Sequence, residues 1–119
     1  MRGALAGLRI LVVEDEFIVA LAAEDMLGDL GAEVVGPAAT VGDGLVLAAE
    51  PLDAALLDIN MHGERSFAVA RALRARGIPF VFATGYADAG CAELADAPIL
   101  RKPYGSDALA AALLRALGA

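Results

Sequence analysis

The sequence predicts an α/β domain in which helices cover both faces of one five-stranded parallel sheet. Short apolar runs alternate with amphipathic stretches along all 119 residues. The first of these runs is continuous and rich in β-branched residues, which is typical of a strand buried on both faces. Strict alternation of strands and helices favours right-handed connections within a single parallel sheet. A chain of this length builds one sizeable core, so we expect a single domain over residues 1–119.

Five short apolar runs are predicted to be the strands of this sheet. They are LRILVV (8–13), AEVVGPA (32–38), LDAALLDI (52–59), IPFVFAT (78–84) and APILRK (97–102). Gly36-Pro37 is expected to stop the second strand, because proline has no N–H to donate to a neighbouring strand. The segment NMHGE, directly after the third strand, is expected to be a loop.

Helical spacing of apolar residues predicts helices between the strands and at the end of the chain. Residues 16–30 are the clearest case, with an apolar face made of Val19, Ala22, Ala23, Met26, Leu27 and Leu30. Further helices are expected over about 41–50 and over 65–76, the latter packing Phe67, Ala70 and Leu73. Ser106 is the expected N-cap of the last helix, which would bury Leu109, Leu113 and Leu117. Residues 85–97 carry few apolar residues at helical spacing, which predicts a short or mobile fourth helix.

Composition excludes several classes of function. The net charge is −7 and no basic block is present, which argues against nucleic acid as a direct partner. No apolar run approaches the roughly 18 residues of a membrane span, and the amino terminus is a poor signal peptide. One cysteine, Cys91, rules out an internal disulfide framework and suits a reducing compartment. These observations predict a cytoplasmic domain without a membrane partner.

Polar side chains follow four of the five predicted strands. Glu14 and Asp15 end the first, Asp58 the third, Thr84 the fourth and Lys102 the fifth. The carboxyl ends of parallel strands meet at one edge of a sheet, where ligands bind in folds of this class. We therefore expect three carboxylates, a hydroxyl and an ammonium group to converge on one pocket.

This convergence points to phosphoryl chemistry with a metal ion. Clustered carboxylates repel one another, and a divalent cation relieves the repulsion. An all-oxygen site suits Mg²⁺ or Mn²⁺, whereas His62 and Cys91 are not spaced as a zinc-binding pair. Asp58 would then accept a phosphoryl group beside Lys102, the only lysine of the chain. A compact ammonium fits between a carboxylate and a phosphoryl oxygen, where the wide fork of an arginine would not.

At these residues the sequence resembles the receiver domains of two-component response regulators. The motifs ILVVEDE, DAALLDIN, FATGY and LRKPY match the family in order and over essentially the full length. The resemblance implies a flavodoxin-like (βα)₅ fold with Asp58 as the phospho-acceptor. It also implies Mg²⁺ held among Glu14, Asp15, Asp58 and the backbone carbonyl of Asn60.

The resemblance assigns further roles around the acceptor. It makes Thr84 the switch hydroxyl and Lys102 the counter-charge, with a cis bond between Lys102 and Pro103. Gly85 is the small residue that leaves room for the phosphoryl group. The resemblance also places Asn60 and Tyr86 at positions that tune its lifetime.

Two features depart from most receivers and are similar to an alphaproteobacterial subgroup with a Phe-Ala-Thr-Gly motif. Ile99 stands where most receivers have an aromatic residue that rotates inward on activation. The stretch between Thr84 and Lys102 is several residues shorter than usual. The readout is therefore expected in residues 85–97, with Tyr86 taking over from the missing aromatic.

The resemblance implies a histidine kinase or phosphotransfer protein as the phosphodonor and a downstream protein as the target. Self-phosphorylation is a single-turnover event, so no enzymatic activity is expected, and residues 1–119 leave no output domain. Phe17, Ile18 and Leu21 would either pack against the last helix or form a kinase-docking or homodimer face. Two alternatives are a phosphorylation-independent binding module and a haloacid-dehalogenase-type phosphatase. The phosphatase is disfavoured because its nucleophile lies on the first strand.

Overall fold

A computed structural model describes residues 3–85 and 96–118 of the chain. The strands of these ranges are β1 (Arg9–Val13), β2 (Glu33–Ala38), β3 (Ala54–Asp58), β4 (Asn60–Met61), β5 (Glu64–Arg65), β6 (Phe80–Thr84) and β7 (Ile99–Arg101). The helices are α1 (Phe17–Asp29), α2 (Val41–Leu47), α3 (Phe67–Ala75) and α4 (Ser106–Ala116). The expected fourth helix, together with Tyr86 and Cys91, lies outside the described residues. In the part that is described, no helix has the length and apolarity of a membrane span.

The main sheet has five parallel strands in the order β2-β1-β3-β6-β7. The predicted parallel α/β fold, with the flavodoxin-like arrangement that the resemblance implies, is therefore confirmed. In the register between β3 and β6, Asp58 is opposite Ala83. Between β6 and β7, Thr84 is opposite Arg101. The residues that end these strands consequently lie side by side at one edge of the sheet.

Both faces of the sheet are buried, as the continuous apolar strands predict. Leu56 and Leu57 are neighbours on β3 but belong to different core clusters. One cluster joins Leu57 to Leu73 and other residues of α2 and α3. The other joins Leu56 to α1 and α4, and it includes Leu5 from the segment that precedes β1. The sheet is thus the middle of three layers.

The prediction that Gly36-Pro37 stops the second strand is wrong, because β2 continues to Ala38. The strand contains a cis bond before Pro37, and its register against β1 shifts between Leu11 and Val13. β2 is an edge strand of the sheet, where a residue without an N–H is tolerated. Pairing resumes beyond it, since the Glu14 N–H donates to the Ala38 carbonyl at 2.9 Å.

The sequence predicted a loop for the segment NMHGE, and this prediction is wrong, because the segment forms part of a short hairpin. β4 and β5 pair in antiparallel fashion, with His62 and Gly63 as the two turn residues. Both have positive φ angles, 54° and 87°, which is the signature of a type I′ turn. The Gly63 N–H also donates to Asn60 Oδ1 at 2.8 Å. The turn is therefore fixed at both ends, directly after the strand that carries Asp58.

Two predictions about helices are wrong in detail. On α1 the buried position is Ala20 rather than Ala22, because this helix is apolar on more than one side and periodicity alone does not select the core face. The N-cap of α4 is Gly105 rather than Ser106, which is the first helical residue. Gly105 has an extended backbone and makes no side-chain cap, a role that glycine also fills.

Candidate functional site

The polar residues predicted to converge do line one cleft at the carboxyl edge of the sheet. Its volume is about 400 Å³. Side chains from five elements or their ends form its walls: Asp15, Glu16, Asp58, Asn60, His62, Thr84 and Lys102. Gly85 completes one side, and a Cβ atom added there would meet no heavy atom within 4 Å. The cleft is therefore open beside Gly85.

Lys102 links two carboxylates of this site. Its Nζ lies 2.6 Å from Glu14 Oε1 and 3.3 Å from Asp58 Oδ1. The Lys102 N–H donates to the Thr84 carbonyl at 2.9 Å, so pairing of β7 with β6 fixes its backbone. The bond to Pro103 is cis, as the resemblance implies. Burial alone would lower the pKa of Lys102, but the hydrogen bond to Glu14 and the charge of Asp58 raise it above its ordinary value. The ammonium group is therefore held charged.

Asp58 is buried, and its environment favours the protonated carboxyl. Burial and the negative charge of Glu14 raise the pKa of Asp58 to about 7, although Lys102 acts in the opposite direction. Burial also acts to raise the pKa of Asp15, but hydrogen bonds with the Asp58 and Glu14 side chains lower it overall. Of these two neighbouring carboxyl groups, Asp58 is therefore the one that binds a proton first as the pH falls.

Glu14 stands behind the cleft rather than in its wall. The side chain is only 5% exposed, and both of its oxygens have partners. Oε1 meets Lys102, and Oε2 accepts the Glu16 N–H at 3.1 Å. Ligand oxygens of Glu14, Asp15 and Glu16 lie within 4.8 Å of one another. Sequence reasoning missed Glu16, because only the turn after β1 brings its carboxylate beside the other two.

His62 is the second cleft residue that sequence reasoning missed. Its Nε2 lies 3.3 Å from Asp15 Oδ2. The imidazole is 79% exposed, and nothing in the sequence indicated its contact with Asp15. The β4-β5 hairpin produces this contact, and a segment read as a loop gave no signal for it.

The donors of the cleft fit a hard divalent cation. Asp15 and Asp58 offer carboxylate oxygens, and the backbone carbonyl of Asn60 follows directly on the hairpin. Oxygen donors with space for water suit Mg²⁺ and Mn²⁺. Three of the four predicted ligand positions therefore lie where they could hold the predicted metal, whereas Glu14 does not line the cleft.

The remaining predicted site residues among those described lie on β6 and β7. Thr84 is buried at the end of β6 and lines the cleft. Ile99, in place of the usual aromatic residue, is on β7 and 51% exposed. The expected role of Tyr86 falls outside the described residues.

A second surface adjoins the cleft through Lys102. Phe17, Ile18 and Leu21 of α1 are exposed, which contradicts the interpretation that they pack against the last helix. An apolar groove of about 380 Å³ runs beside α1. Its lining comprises Ile18, Val19, Ala22, Met26, Lys102, Pro103 and Tyr104. Lys102 therefore belongs to both the cleft and the groove.

Solved structures resemble this chain over nearly all of its length. SdrG from Sphingomonas melonis Fr1 superposes with a TM-score of 0.83 and 44% identity, over 98% of each chain. The receiver domain of the sensor histidine kinase PA1611 from Pseudomonas aeruginosa PAO1 gives a TM-score of 0.81 and 29% identity, over 96% of this chain and 100% of that one. That crystal structure has a magnesium ion coordinated in the active-site cleft.

The response regulator PhyR from Brucella abortus is a longer relative. It is 28% identical, with a TM-score of 0.81, over 98% of this chain and 51% of PhyR. The chain thus corresponds to about half of PhyR. No protein-family model matches the chain, and neither does a curated protein sequence.

Proposed function

Because the chain belongs to the receiver-domain family of two-component response regulators, we propose that it accepts a phosphoryl group on Asp58. The donor is the phosphohistidine of a histidine kinase or a phosphotransfer protein. The observation that carries the proposal is the Lys102 ammonium, 3.3 Å from Asp58 Oδ1 and anchored by Glu14. A buried carboxylate beside a fixed cation suits phosphoryl transfer, which depends mainly on positioning and charge neutralisation.

The chemistry follows from the groups around Asp58. A carboxylate oxygen of Asp58 forms the new bond to phosphorus, while the bond from phosphorus to the donor nitrogen breaks and the nitrogen keeps the electron pair. The ionised carboxylate is the nucleophile. Burial and Glu14 raise the pKa of Asp58 to about 7, and the charge of Lys102 opposes this rise and so favours the ionised form. Thr84 and Lys102 line the same cleft and would stabilise the oxygens of the transferred group.

The metal ion of this proposal is Mg²⁺, with Mn²⁺ meeting the same requirements. The predicted ligands are Glu14, Asp15, Asp58 and the backbone carbonyl of Asn60. Of these, Glu14 does not line the cleft and would act on the ion through its negative charge. The ion would neutralise charge on the phosphoryl oxygens. The magnesium ion in the PA1611 receiver domain supports this assignment.

The proposed output is a change of protein contacts in the cytoplasm rather than turnover of a substrate. Residues 1–119 act as one receiver unit. Gly85 lines the cleft of the acceptor, Pro103 lines the adjoining groove, and Ile99 pairs with Phe82 of β6. Their roles in switching, like that of Tyr86, remain predictions. The net charge of −7 supports a protein target rather than nucleic acid.

The exposed side of α1 is the proposed docking face for the phosphodonor. A donor histidine that reaches Asp58 brings its neighbouring side chains over the groove, because Lys102 borders both. Ile18→Asp should therefore slow transfer from a phosphorylated histidine kinase more than tenfold, while phosphorylation by acetyl phosphate stays within about twofold. Val46→Asp is the matched control, since Val46 is an equally exposed apolar residue on α2. Equal losses in both variants would contradict this face. Sedimentation that finds a homodimer, dissociated by Ile18→Asp, would also contradict it, because the exposed side of α1 would then be buried between two copies of the chain.

Intact mass spectrometry after incubation with Mg²⁺ and acetyl phosphate tests the main proposal. We expect one added phosphoryl group in the native chain and in Asp29→Ala, an exposed carboxylate at the end of α1. Asp58→Ala should gain none. An adduct that persists in Asp58→Ala would place the acceptor elsewhere.

If acetyl phosphate gives no phosphoryl adduct, a beryllofluoride titration monitored by NMR is the next test. Without an adduct and without beryllofluoride-dependent shifts, the phosphorylation-independent binding module becomes the better interpretation. The phosphatase alternative gains no support, because Glu14-Asp15 follow β1 and the proposed acceptor is the last residue of β3.

A further inference from the structure

Among the described residues that line the cleft, His62 carries the one imidazole. It is the only histidine of the chain, and its Nε2 lies 3.3 Å from Asp15 Oδ2. We propose that His62 is an additional metal ligand beside Asp15, and that it makes the site prefer Mn²⁺ over Mg²⁺. This inference rests on the metal site of the proposed function and specifies which ion that site selects.

The spacing of the two side chains already matches that of neighbouring ligands. In an octahedral site with bonds of about 2.1 Å, adjacent ligand atoms are about 3 Å apart. The 3.3 Å between Asp15 Oδ2 and His62 Nε2 differs from this value by a few tenths of an ångström. The imidazole is 79% exposed, so no surrounding packing opposes a movement of that size.

The hairpin holds His62 at this place through its backbone. His62 is the first residue of the type I′ turn, with φ at 54°, and Gly63 follows with φ at 87°. Asparagine and glycine are the residues that such turns favour at this position, so the turn itself gives no reason for an imidazole. The same hairpin begins with Asn60, whose carbonyl is a proposed ligand. One rigid element therefore carries two donors to the cleft.

The donor types decide which ion gains from His62. Mg²⁺ binds oxygen ligands and keeps several waters, whereas transition-metal ions accept imidazole nitrogen readily. Mn²⁺ combines this acceptance of nitrogen with a preference for carboxylates. The proposed site combines both donor types, with one imidazole nitrogen and three sources of oxygen: His62, Asp15, Asp58 and the Asn60 carbonyl. Removing the imidazole should consequently weaken Mn²⁺ binding and leave Mg²⁺ binding nearly unchanged.

Calorimetric titration of the native chain and two variants with MnCl₂ and MgCl₂, at one pH and ionic strength, tests this inference. His62→Gly suits the positive φ and removes the side chain, and His62→Asn keeps a residue that the turn favours. We expect each variant to lose Mn²⁺ affinity by about tenfold or more, with Mg²⁺ affinity within about twofold. Glu64→Gln is the matched control, because it changes an exposed charge on the same hairpin and should leave the ratio of affinities unchanged.

Proton NMR of the chain with bound Co²⁺ supplies a signature of direct ligation that a purely structural role would not produce. Co²⁺ bound to the single imidazole should shift its ring resonance far outside the normal range, and the signal has no competitor in this chain. An unshifted imidazole, or an unchanged ratio of Mn²⁺ to Mg²⁺ affinity in His62→Gly, would overturn the role of His62 and leave the metal site intact. Failure of both ions to bind the native chain would instead remove the proposed metal site itself.

Discussion

At the scale of single residues, the Asp58 carboxyl group has the strongest electrostatic conflict in the cleft. It is buried beside Glu14, and these two causes raise its pKa to about 7 against the opposing charge of Lys102. An aspartate in the unfolded chain titrates near 3.8. The folded protein therefore binds a proton that the unfolded chain has released over the whole interval between these values.

This difference sets the sign of a pH effect on stability. Between pH 4 and pH 7 Asp58 binds more protons in the folded state than in the unfolded state, so its contribution to the free energy of unfolding falls as the pH rises. Asp58→Asn removes this dependence. At pH 8 without metal we expect the variant to exceed the native chain in stability by roughly 2 kcal/mol, with a much smaller difference at pH 4.

Urea denaturation in the presence of EDTA measures both values, with Asp29→Asn as the exposed-carboxylate control. Parallel pH profiles for the native chain and Asp58→Asn would contradict the raised pKa. Added Mg²⁺ should narrow the difference at pH 8, because an ion that binds only the native fold stabilises the folded native chain.

The sequence predicted most of the residues of this site, because carboxyl ends of parallel strands share one edge. Asp58, Thr84 and Lys102 needed only the boundaries of their strands. Glu16 and His62 depend instead on a turn and a hairpin, whose geometry positions the side chains. The spacing of apolar residues in the sequence does not reveal the geometry of this turn and this hairpin.

At the scale of elements, the segment before β1 packs closely under the end of α1. The Leu5 N–H donates to the Leu30 carbonyl at 2.9 Å, and the Gly7 N–H donates to the Gly31 carbonyl at 3.1 Å. A Cβ atom on Gly31 would lie 2.9 Å from the Ala6 Cα atom, which is too close for a real contact. Gly31 is thus needed for its positive φ and for this close approach together.

A pair of glycine substitutions separates these two requirements. Gly31 and Gly77 both have positive φ, 89° and 72°, but a Cβ on Gly77 would meet nothing within 4 Å. Alanine at either position should lower the free energy of unfolding by about 1 kcal/mol through backbone strain. Gly31→Ala should lose at least about 1 kcal/mol more, because the backbone of Ala6 must move. Equal losses in urea denaturation would show that the amino-terminal segment is not packed there.

Strands and helices were predictable where burial alone sets the pattern of apolar residues. They were less predictable where their bounds or buried faces depend on the neighbouring elements of the fold. The strand β3 is buried on both faces and is found within its predicted bounds. In β2, the edge position allows Pro37 inside the strand, which local sequence rules do not anticipate. On α1, several apolar sides compete, so the choice between Ala20 and Ala22 depends on how the helix sits on the sheet.

At the scale of the whole molecule, the two core clusters share one sheet and are expected to unfold together. Leu73 of α3 and Leu113 of α4 are fully buried on opposite faces. Alanine at either position should lower the free energy of unfolding by about 3 kcal/mol, since each leaves a cavity in a packed layer. Leu45→Ala on α2, at an exposed position, is the control and should lose less than about 1 kcal/mol.

Far-UV circular dichroism and tyrosine fluorescence should report coincident transitions in both core variants. Separate transitions after a substitution on one face would mean that the layers are independent units. The alternation of strands and helices already predicted this three-layer architecture, because covering both faces of one sheet leaves few other arrangements.

Lys102 has a consequence beyond the neutralisation of charge. Its side chain forms part of the wall between the acidic cleft and the apolar groove along α1. If occupation of the cleft changes the affinity of the groove for a partner by some factor, occupation of the groove must change the affinity of the cleft by the same factor. A protein that binds the groove is then a reciprocal effector of the ion in the cleft, and either site can be titrated to measure the other.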